Sequence, residues 1–266
     1  MGFSKDDRVR FEKMLSQSYG MILITGPTGS GKTTTLYSAV SHLHTPEKNI
    51  CTVEDPVEFK VKGITQVHVN PKIGLDFSSV LRSFVRQDPD VILVGEIRDF
   101  ETADIAVRSA LTGHLVLSSL HTNDSASTIT RLIEMGVESH LIAASVVGVV
   151  AQRLVRKLCS SCKVKATPME DSVELLALGV SGGDFWRAVG CDRCHGEGYR
   201  GRLGIFEVMS AGEDIKTAII KKASTAEIRS LAEERGTKSF LLDGVEKARM
   251  GLTTLKEVMR VAYTES

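Results

Sequence analysis

Residues 26–33 read Gly-Pro-Thr-Gly-Ser-Gly-Lys-Thr and fit the pattern G-x-x-x-x-G-K-[ST] at every position. An apolar run at 21–24 precedes them and residues that can form a helix follow at 34–40, so the sequence predicts a strand, a glycine turn and a helix. In that setting backbone N–H groups and the helix N-terminus converge on an anion. Lys32 is expected to reach the β- and γ-phosphates of a nucleoside triphosphate, and the Thr33 hydroxyl to hold Mg²⁺. The alternative is a glycine turn without a ligand. The predicted nucleotide-binding residues are Gly26, Pro27, Thr28, Gly29, Ser30, Gly31, Lys32, Thr33 and Thr34.

The order of predicted elements indicates an α/β protein with a mostly parallel sheet, because apolar runs alternate with helical patterns. Predicted strands cover 21–25, 49–53, 91–94 and 115–119. Predicted helices cover 2–18, 32–43, 77–86, 101–111, 125–135, 140–157, 215–222, 226–234, 240–250 and 255–261. The predicted units are a short N-terminal helix (1–19), an ATPase core (20–158), a cysteine-bearing element (159–204) and a C-terminal helical subdomain (205–266).

Composition restricts the kind of protein. Of the 266 residues, 42% are hydrophobic and 25% charged, which is typical of a soluble globular chain. The longest mostly apolar stretch, 141–151, is about half a bilayer span, so we expect no transmembrane segment. The charged first residues carry no signal-peptide pattern. We therefore expect a protein that is cytosolic or peripheral to a membrane.

The second predicted strand ends in acidic residues. Glu54 and Glu58 flank Pro56 just beyond that strand, at the sheet edge where ligands of open α/β sheets bind. They are therefore expected at the same edge of the sheet as the phosphate loop. A solvated acidic turn is the alternative.

The third predicted strand also ends in an acid, the arrangement called Walker B. Gly95 stands where many such ATPases place an aspartate, and Glu96 follows it. We expect Glu96 to polarise the attacking water, because hydrolysis needs a base in line with the γ-phosphate. The alternative is a surface pair between Glu96 and Arg98.

Two histidines bracket the fourth predicted strand. A neutral imidazole can donate a hydrogen bond to a phosphate oxygen or hold a carboxylate. The end of this strand reaches the same edge of the sheet, and we expect His121 and His114 to sense the γ-phosphate. A purely structural histidine is the alternative.

Four of the five cysteines form two C-x-x-C pairs that are separated by 28 residues. Each pair can supply two thiolates to one tetrahedral Zn²⁺ of the closed, structural kind. A redox role is less suitable, because neither pair follows a strand and opens a helix. The predicted zinc ligands are Cys159, Cys162, Cys191 and Cys194.

Together these segments resemble the secretion-superfamily ATPases that power type II secretion and type IV pilus assembly. The resemblance runs from about residue 20 to residue 261. It rests on the phosphate loop with its following helix (26–37), the acidic box (52–58), the atypical Walker B (86–99), the histidine box (111–123), the tetracysteine element, the sequence Gly-Tyr-Arg-Gly-Arg (198–202) and Phe-Glu-Val (206–208).

This resemblance implies a RecA-like core that hydrolyses ATP with Mg²⁺ and works as a cytoplasmic homo-hexamer on an inner-membrane platform protein. It implies that Lys32 and Thr33 bind the phosphates and Mg²⁺, that Glu96 is catalytic and that His121 senses the γ-phosphate. It also implies that Glu54 and Glu58 assist at the metal ion or the attacking water. The tetracysteine element is typical of the assembly and secretion branches, and the pilus-retraction branch lacks it. Family members carry a further domain before the phosphate loop that supplies arginines, and we expect this chain to be the C-terminal part of such a protein.

A RecA-like nucleic-acid motor with a zinc ribbon is the competing hypothesis. Five basic residues surround the first cysteine pair, at positions 153, 156, 157, 163 and 165. Against it, the formal net charge is zero and only one tryptophan is available for base stacking. We therefore expect no nucleic-acid partner.

Overall fold

The computed structural model describes residues 2–167, 172–180 and 182–263. Its centre is a seven-stranded sheet in the order β3-β2-β4-β5-β1-β6-β9, and a second sheet pairs β7 with β8. The strands are β1 (Gly20–Thr25), β2 (Ile50–Glu54), β3 (Thr65–His68), β4 (Val91–Val94), β5 (Leu115–Leu120), β6 (Val146–Leu158), β7 (Val164–Lys165), β8 (Trp186–Arg187) and β9 (Tyr199–Ser210). All neighbours in the large sheet are parallel except β6 and β9. The predicted α/β class with a mostly parallel sheet is confirmed.

Helices cover both faces of this sheet. They are α1 (Lys5–Leu15), α2 (Lys32–Leu43), α3 (Phe77–Phe84), α4 (Phe100–Leu111), α5 (Ser125–Glu134), α6 (Ser139–Ser145), α7 (Ser172–Ala177), α8 (Glu213–Ile220), α9 (Thr225–Glu234), α10 (Phe240–Arg249) and α11 (Leu255–Tyr263). In the central strand β1, Met21 and Leu23 join one apolar cluster while Ile22 and Ile24 join the other. Burial on both faces explains why the central strands are continuous apolar runs.

One predicted element is wrong. The predicted helix 140–157 is the short helix α6 followed by the long strand β6. The chain changes conformation where a run of β-branched valines begins at Val146, and such side chains favour a pleated strand. Position 148 of this strand requires glycine, because a Cβ there would stand 2.5 Å from the Met14 side chain.

The C-terminal region is joined to the large sheet. Strand β9 pairs with β6 over most of its length, so the predicted boundary between 204 and 205 falls inside a strand. Helix α10 is attached by Asp243, which accepts from the Phe206 amide at 2.8 Å, and by Lys247, which donates to the Gly204 carbonyl at 2.8 Å. The four predicted C-terminal helices are present as α8 to α11.

No helix within the described part of the chain is both long and apolar enough to cross a membrane.

Candidate functional site

The carboxyl ends of four parallel strands meet at one edge of the large sheet. The phosphate loop follows β1, Glu54 ends β2, Glu96 follows β4 and His121 follows β5. Together they line an open cleft of about 450 Å³. This is the edge at which open α/β sheets bind ligands, and the volume lies in the range of ligand pockets.

The phosphate loop presents its backbone to this cleft. Gly31 is the N-cap of α2 and adopts φ +90°, a conformation that glycine reaches without strain. Because Gly31 has no side chain to cap the helix, the first N–H groups of α2 stay available to an anion. Gly29, Lys32 and Thr33 also line the cleft, as the sequence predicts.

Lys32 is buried and turned back on the loop. Its Nζ donates to the carbonyls of Gly26 at 2.7 Å and Pro27 at 3.1 Å. Burial lowers its pKa to about 8, although the nearby Glu96 carboxylate acts in the opposite direction. The ammonium is therefore held beside the loop by the two carbonyls. Phosphate oxygens of a bound ligand would take the place of these carbonyls as its acceptors.

His121 lies between the phosphate loop and the predicted catalytic acid. Its Nδ1 is 3.5 Å from Lys32 Nζ and its Nε2 is 3.4 Å from a Glu96 carboxylate oxygen. A neutral ring with its proton on Nε2 satisfies both contacts, since Nδ1 then accepts from lysine and Nε2 donates to glutamate. The imidazole thus connects the groups that would face the γ-phosphate.

The turn that carries Glu96 is tightly fixed. The Gly95 amide donates to the Val53 carbonyl at 2.8 Å, and the Ser119 hydroxyl donates to the Gly95 carbonyl at 2.7 Å. The Glu96 carboxylate is also hydrogen-bonded to Arg98, the pair that the alternative interpretation requires. That pair does not remove Glu96 from the cleft, because Glu96 remains one of its lining residues.

The carboxylate of Glu54 is surrounded by hydrogen-bond donors of the protein. It is therefore less available to a metal ion than a carboxylate without such partners would be. The Glu54 carboxylate accepts from the Tyr37 hydroxyl at 2.6 Å, the Thr52 hydroxyl at 2.5 Å and Gln66 Nε2 at 3.3 Å. Tyr37 belongs to the helix that follows the phosphate loop, so this network joins α2 to β2. Burial raises the pKa of Tyr37, and the hydrogen bond to Glu54 raises it further.

Several lining residues were not predicted. Tyr37, Phe59 and Leu154 line the cleft together with Arg202. Arg202 belongs to the Gly-Tyr-Arg-Gly-Arg segment, which the sequence marks only as part of a resemblance and does not place at the phosphate loop. Glu58, which was predicted, also lines the cleft and is exposed.

His114 is placed elsewhere, contrary to the expectation that both histidines lie at one edge. It immediately precedes β5, so it lies at the amino end of the strand, about 20 Å from His121 for a six-residue strand. Its Nδ1 is 2.9 Å from the carbonyl of Ser109 at the end of α4. Within one chain the structure therefore does not bring His114 to the cleft.

The four predicted zinc ligands form one cluster. The sulfur atoms of Cys159, Cys162, Cys191 and Cys194 all lie within 4.8 Å of one another. The Cys159–Cys191, Cys162–Cys194 and Cys191–Cys194 sulfur distances are 3.9, 3.8 and 3.7 Å. A tetrahedron with Zn–S bonds of about 2.3 Å places its sulfurs about 3.8 Å apart, so the donor set fits a metal of that kind.

Backbone amides support the cluster. The N–H groups of Cys191 and Gly198 each donate to Cys194 Sγ at 3.2 Å. Burial raises the pKa of the Cys194 thiol, but these two donors and the neighbouring thiols of Cys191 and Cys162 together outweigh burial and bring the pKa to about 7. Donors to sulfur favour the thiolate, which is the form that binds metal.

The chain has recognisable relatives. The sequence profile of the family described as "Type II/IV secretion system protein" matches residues 1–260. The chain belongs to this family. Of the two hypotheses from the sequence, membership favours the secretion and pilus ATPases over a nucleic-acid motor.

Several proteins with similar sequences have names that describe their role. The chain is 48% identical to the "Type IV pilus assembly ATPase PilB" of Thermus thermophilus, over 97% of this chain and 30% of that protein. It is also 48% identical to "Type II secretion system protein E" of Xanthomonas campestris, over 98% of this chain and 47% of that protein. The chain thus spans less than half the length of these relatives.

A solved structure shares the fold. The chain resembles the crystal structure of "the Pilus Retraction Motor PilT and Bound ADP" with a TM-score of 0.73 and 26% identity, covering 100% of this chain and 66% of that one. This likeness supports the RecA-like architecture of the family.

An ion-pair network attaches the cysteine-bearing part to α11. Glu257, at 1% exposure, accepts from the Arg156 amide at 2.9 Å and from the Arg156 guanidinium at 2.8 Å, and Arg260 adds a contact at 3.0 Å. Arg156 belongs to β6, two residues before that strand ends beside Cys159. Burial alone raises the pKa of Glu257, but the arginines outweigh it and hold the pKa at about 2.

Glu257→Gln is expected to lower the free energy of unfolding at pH 7 by about 2 kcal/mol. Because the folded pKa lies below the ordinary value of 4.5, the contribution is complete above that value and is lost as the pH falls toward 2. Urea unfolding from pH 7 to pH 3.5 should therefore show a weaker pH dependence in the variant. Glu213→Gln, at an exposed pair with Lys216, is the control and should change stability little. An unaltered pH dependence in Glu257→Gln would contradict the assignment.

Proposed function

We propose that this chain binds MgATP in the cleft and hydrolyses it. The observation that carries the proposal is the meeting of Lys32, His121 and Glu96 across the mouth of the phosphate loop. Hydrolysis needs a cradle for the phosphates and a carboxylate that can orient water beside the γ-phosphate, and this edge of the sheet holds both. Relatives named as ATPases support the proposal.

The proposed roles follow the positions in the cleft. Lys32 and the amides of residues 29–34 hold the phosphates, and Thr33, exposed at the start of α2, would hold Mg²⁺. Glu96 orients and deprotonates the attacking water, while His121 detects the γ-phosphate through its contacts with Lys32 and Glu96. The acidic residues across from the loop suit a site that contains a divalent cation, with Glu58 exposed to the cleft and Glu54 held by its hydrogen bonds.

We further propose that the four cysteines hold one Zn²⁺ with a structural role. Four sulfurs at tetrahedral spacing leave no open coordination position for a reaction. This element also supports the assembly or secretion branch over the retraction branch, as does the difference between 48% identity to an assembly ATPase and 26% to a retraction motor.

The biological role that we propose is that of a motor domain for type IV pilus assembly or type II secretion. In this proposal ATP hydrolysis moves the subunits of a homo-hexamer at the cytoplasmic side of the inner membrane. A platform protein in that membrane would receive the motion, and pilins or pseudopilins would be the moved subunits. The named relatives support this role.

Nucleotide binding is the first test. The wild-type chain should bind a fluorescent ATP analogue with Mg²⁺, and Lys32→Ala should weaken that binding by about 10- to 100-fold, because a charge-assisted contact to phosphate is lost. Lys48→Ala removes an exposed lysine at a distance from the cleft and should leave binding unchanged. Equal affinities for the wild type and Lys32→Ala would refute the assignment of the cleft.

A further inference from the structure

Gln152 lies directly behind the phosphate loop, although it does not line the cleft. It belongs to β6 and is 2% exposed. Its side-chain Nε2 donates to the Ser30 carbonyl at 2.7 Å, and its Oε1 accepts from the Thr35 hydroxyl at 2.7 Å. One carboxamide thus joins the loop to the first turn of α2.

The loop also packs closely against the backbone and the side chain of this residue. A Cβ at Gly26 would stand 2.4 Å from the Gln152 carbonyl oxygen, and a Cβ at Gly31 would stand 3.2 Å from Gln152 Nε2. Glycines at both ends of the loop therefore permit close approach to β6. Gly26 and Gly31 are therefore required for the close contact with β6 behind the loop, as well as for the approach of a phosphate in front of it.

The hydrogen bond to Ser30 fixes a direction at the front of the loop. In a planar trans peptide the carbonyl of one residue and the N–H of the next point in opposite directions. Because the Ser30 carbonyl is held toward Gln152, the N–H of Gly31 is aimed away from it, and Gly31 lines the cleft. The contact behind the loop therefore orients a phosphate donor in front of it.

A carboxamide is the side chain that suits this place. It offers one donor to the Ser30 carbonyl and one acceptor to the Thr35 hydroxyl on a single planar group. A glutamate would present a second acceptor to the carbonyl, and a methionine would leave both buried partners unsatisfied. Either change would free the Ser30–Gly31 peptide to rotate.

We propose that Gln152 is a positioning residue that holds the phosphate loop in its phosphate-binding conformation through the Ser30 carbonyl. The inference rests on the proposed binding of MgATP in the cleft. It also gives β6, the strand that ends just before Cys159, a direct contact with the phosphate loop.

Gln152→Glu and Gln152→Met test this assignment, with Val150→Ala as the matched control. Val150 lies two residues earlier on the same strand, is 0% exposed and belongs to the apolar cluster beneath α2. We would measure the dissociation constants for MgATP and ADP by calorimetry, together with the melting temperature of each variant. Both Gln152 variants should lose roughly 5- to 100-fold in affinity, the equivalent of one buried hydrogen-bonding group left unpaired. Val150→Ala should lower the melting temperature at least as much and keep its affinity within about twofold of the wild type.

Thr35→Val examines the other end of the carboxamide. It should weaken nucleotide binding less than Gln152→Met, and the double variant should lose less than the sum of the two, because both changes break one connected unit.

The outcomes separate the two proposals. If the wild-type chain binds no nucleotide, the proposed function fails. If the wild type binds and both Gln152 variants bind equally well, the positioning role is overturned. Loss of affinity in Val150→Ala that parallels its loss of stability would also overturn it, since the effect of Gln152 would then be a general one on folding.

Discussion

Glu96→Gln is expected to leave MgATP binding intact and to lower the rate of hydrolysis by roughly 10²- to 10⁴-fold, the contribution of a general base. The amide keeps the shape of the side chain and its oxygen can still accept from Arg98, but it cannot take a proton from water. The fixed turn around Gly95 argues that the replacement will not displace the backbone. A single-turnover assay with radiolabelled ATP separates this chemical step from binding and product release.

Glu101→Gln is the matched control for this experiment. Glu101 is also an acid paired with an arginine, at 2.5 Å from Arg82, but it is exposed at the start of α4 and does not line the cleft. Its replacement should leave both binding and hydrolysis unchanged. Normal hydrolysis by Glu96→Gln would remove Glu96 from the role of base.

The positions of several predicted site residues follow from one rule of parallel sheets. Residues that come just after apolar strands reach the same edge, and this rule places the phosphate loop, Glu54, Glu96 and His121 together. The same rule, applied to the start of β5, would have placed His114 at the opposite edge. The sequence alone contains that signal, because His114 precedes the apolar run.

The contributions of β6 and β9 could not be predicted in the same way. Residues 140–157 combine helix formers with valines, so the local sequence is compatible with either structure, and the pairing with β1 and β9 decides it. Gln152 lies within the segment that the sequence wrongly predicts as a helix, so its position behind the phosphate loop could not be predicted. The position of Arg202 at the cleft could not be predicted either, because the glycine-rich segment around it has no periodicity that predicts a strand.

Removal of the Zn²⁺ that we propose for the cysteine cluster is expected to unfold the cysteine-bearing part of the chain and to leave the nucleotide cleft folded. Structural zinc contributes on the order of 10 kcal/mol to the folding of small metal-binding units. Among the described residues between Leu158 and Gly204 there is little regular structure to replace that energy: one short α-helix, one 3-10 turn at 192–194 and two short paired strands come before β9. Amide hydrogen exchange in this part should therefore rise by on the order of 10²-fold or more in Cys194→Ser, while the amides of β1 and α2 keep their protection.

Cys51→Ala is the matched control, since Cys51 is a buried cysteine of the core strand β2 outside the cluster. It should retain about one zinc per chain by elemental analysis and show unchanged exchange around the cluster, whereas Cys194→Ser should lose the metal. Four free thiols without metal in the wild-type chain would refute the zinc assignment. How far the increase in exchange extends along the chain is also informative. The cysteine-bearing part contacts the turn after α10, where the Leu158 amide donates to the Leu252 carbonyl at 2.9 Å and Lys163 Nζ donates to the Gly251 carbonyl at 2.7 Å. If these contacts transmit the loss of metal, exchange will also rise between α10 and α11, and if the network of Glu257 holds α11 independently, it will not.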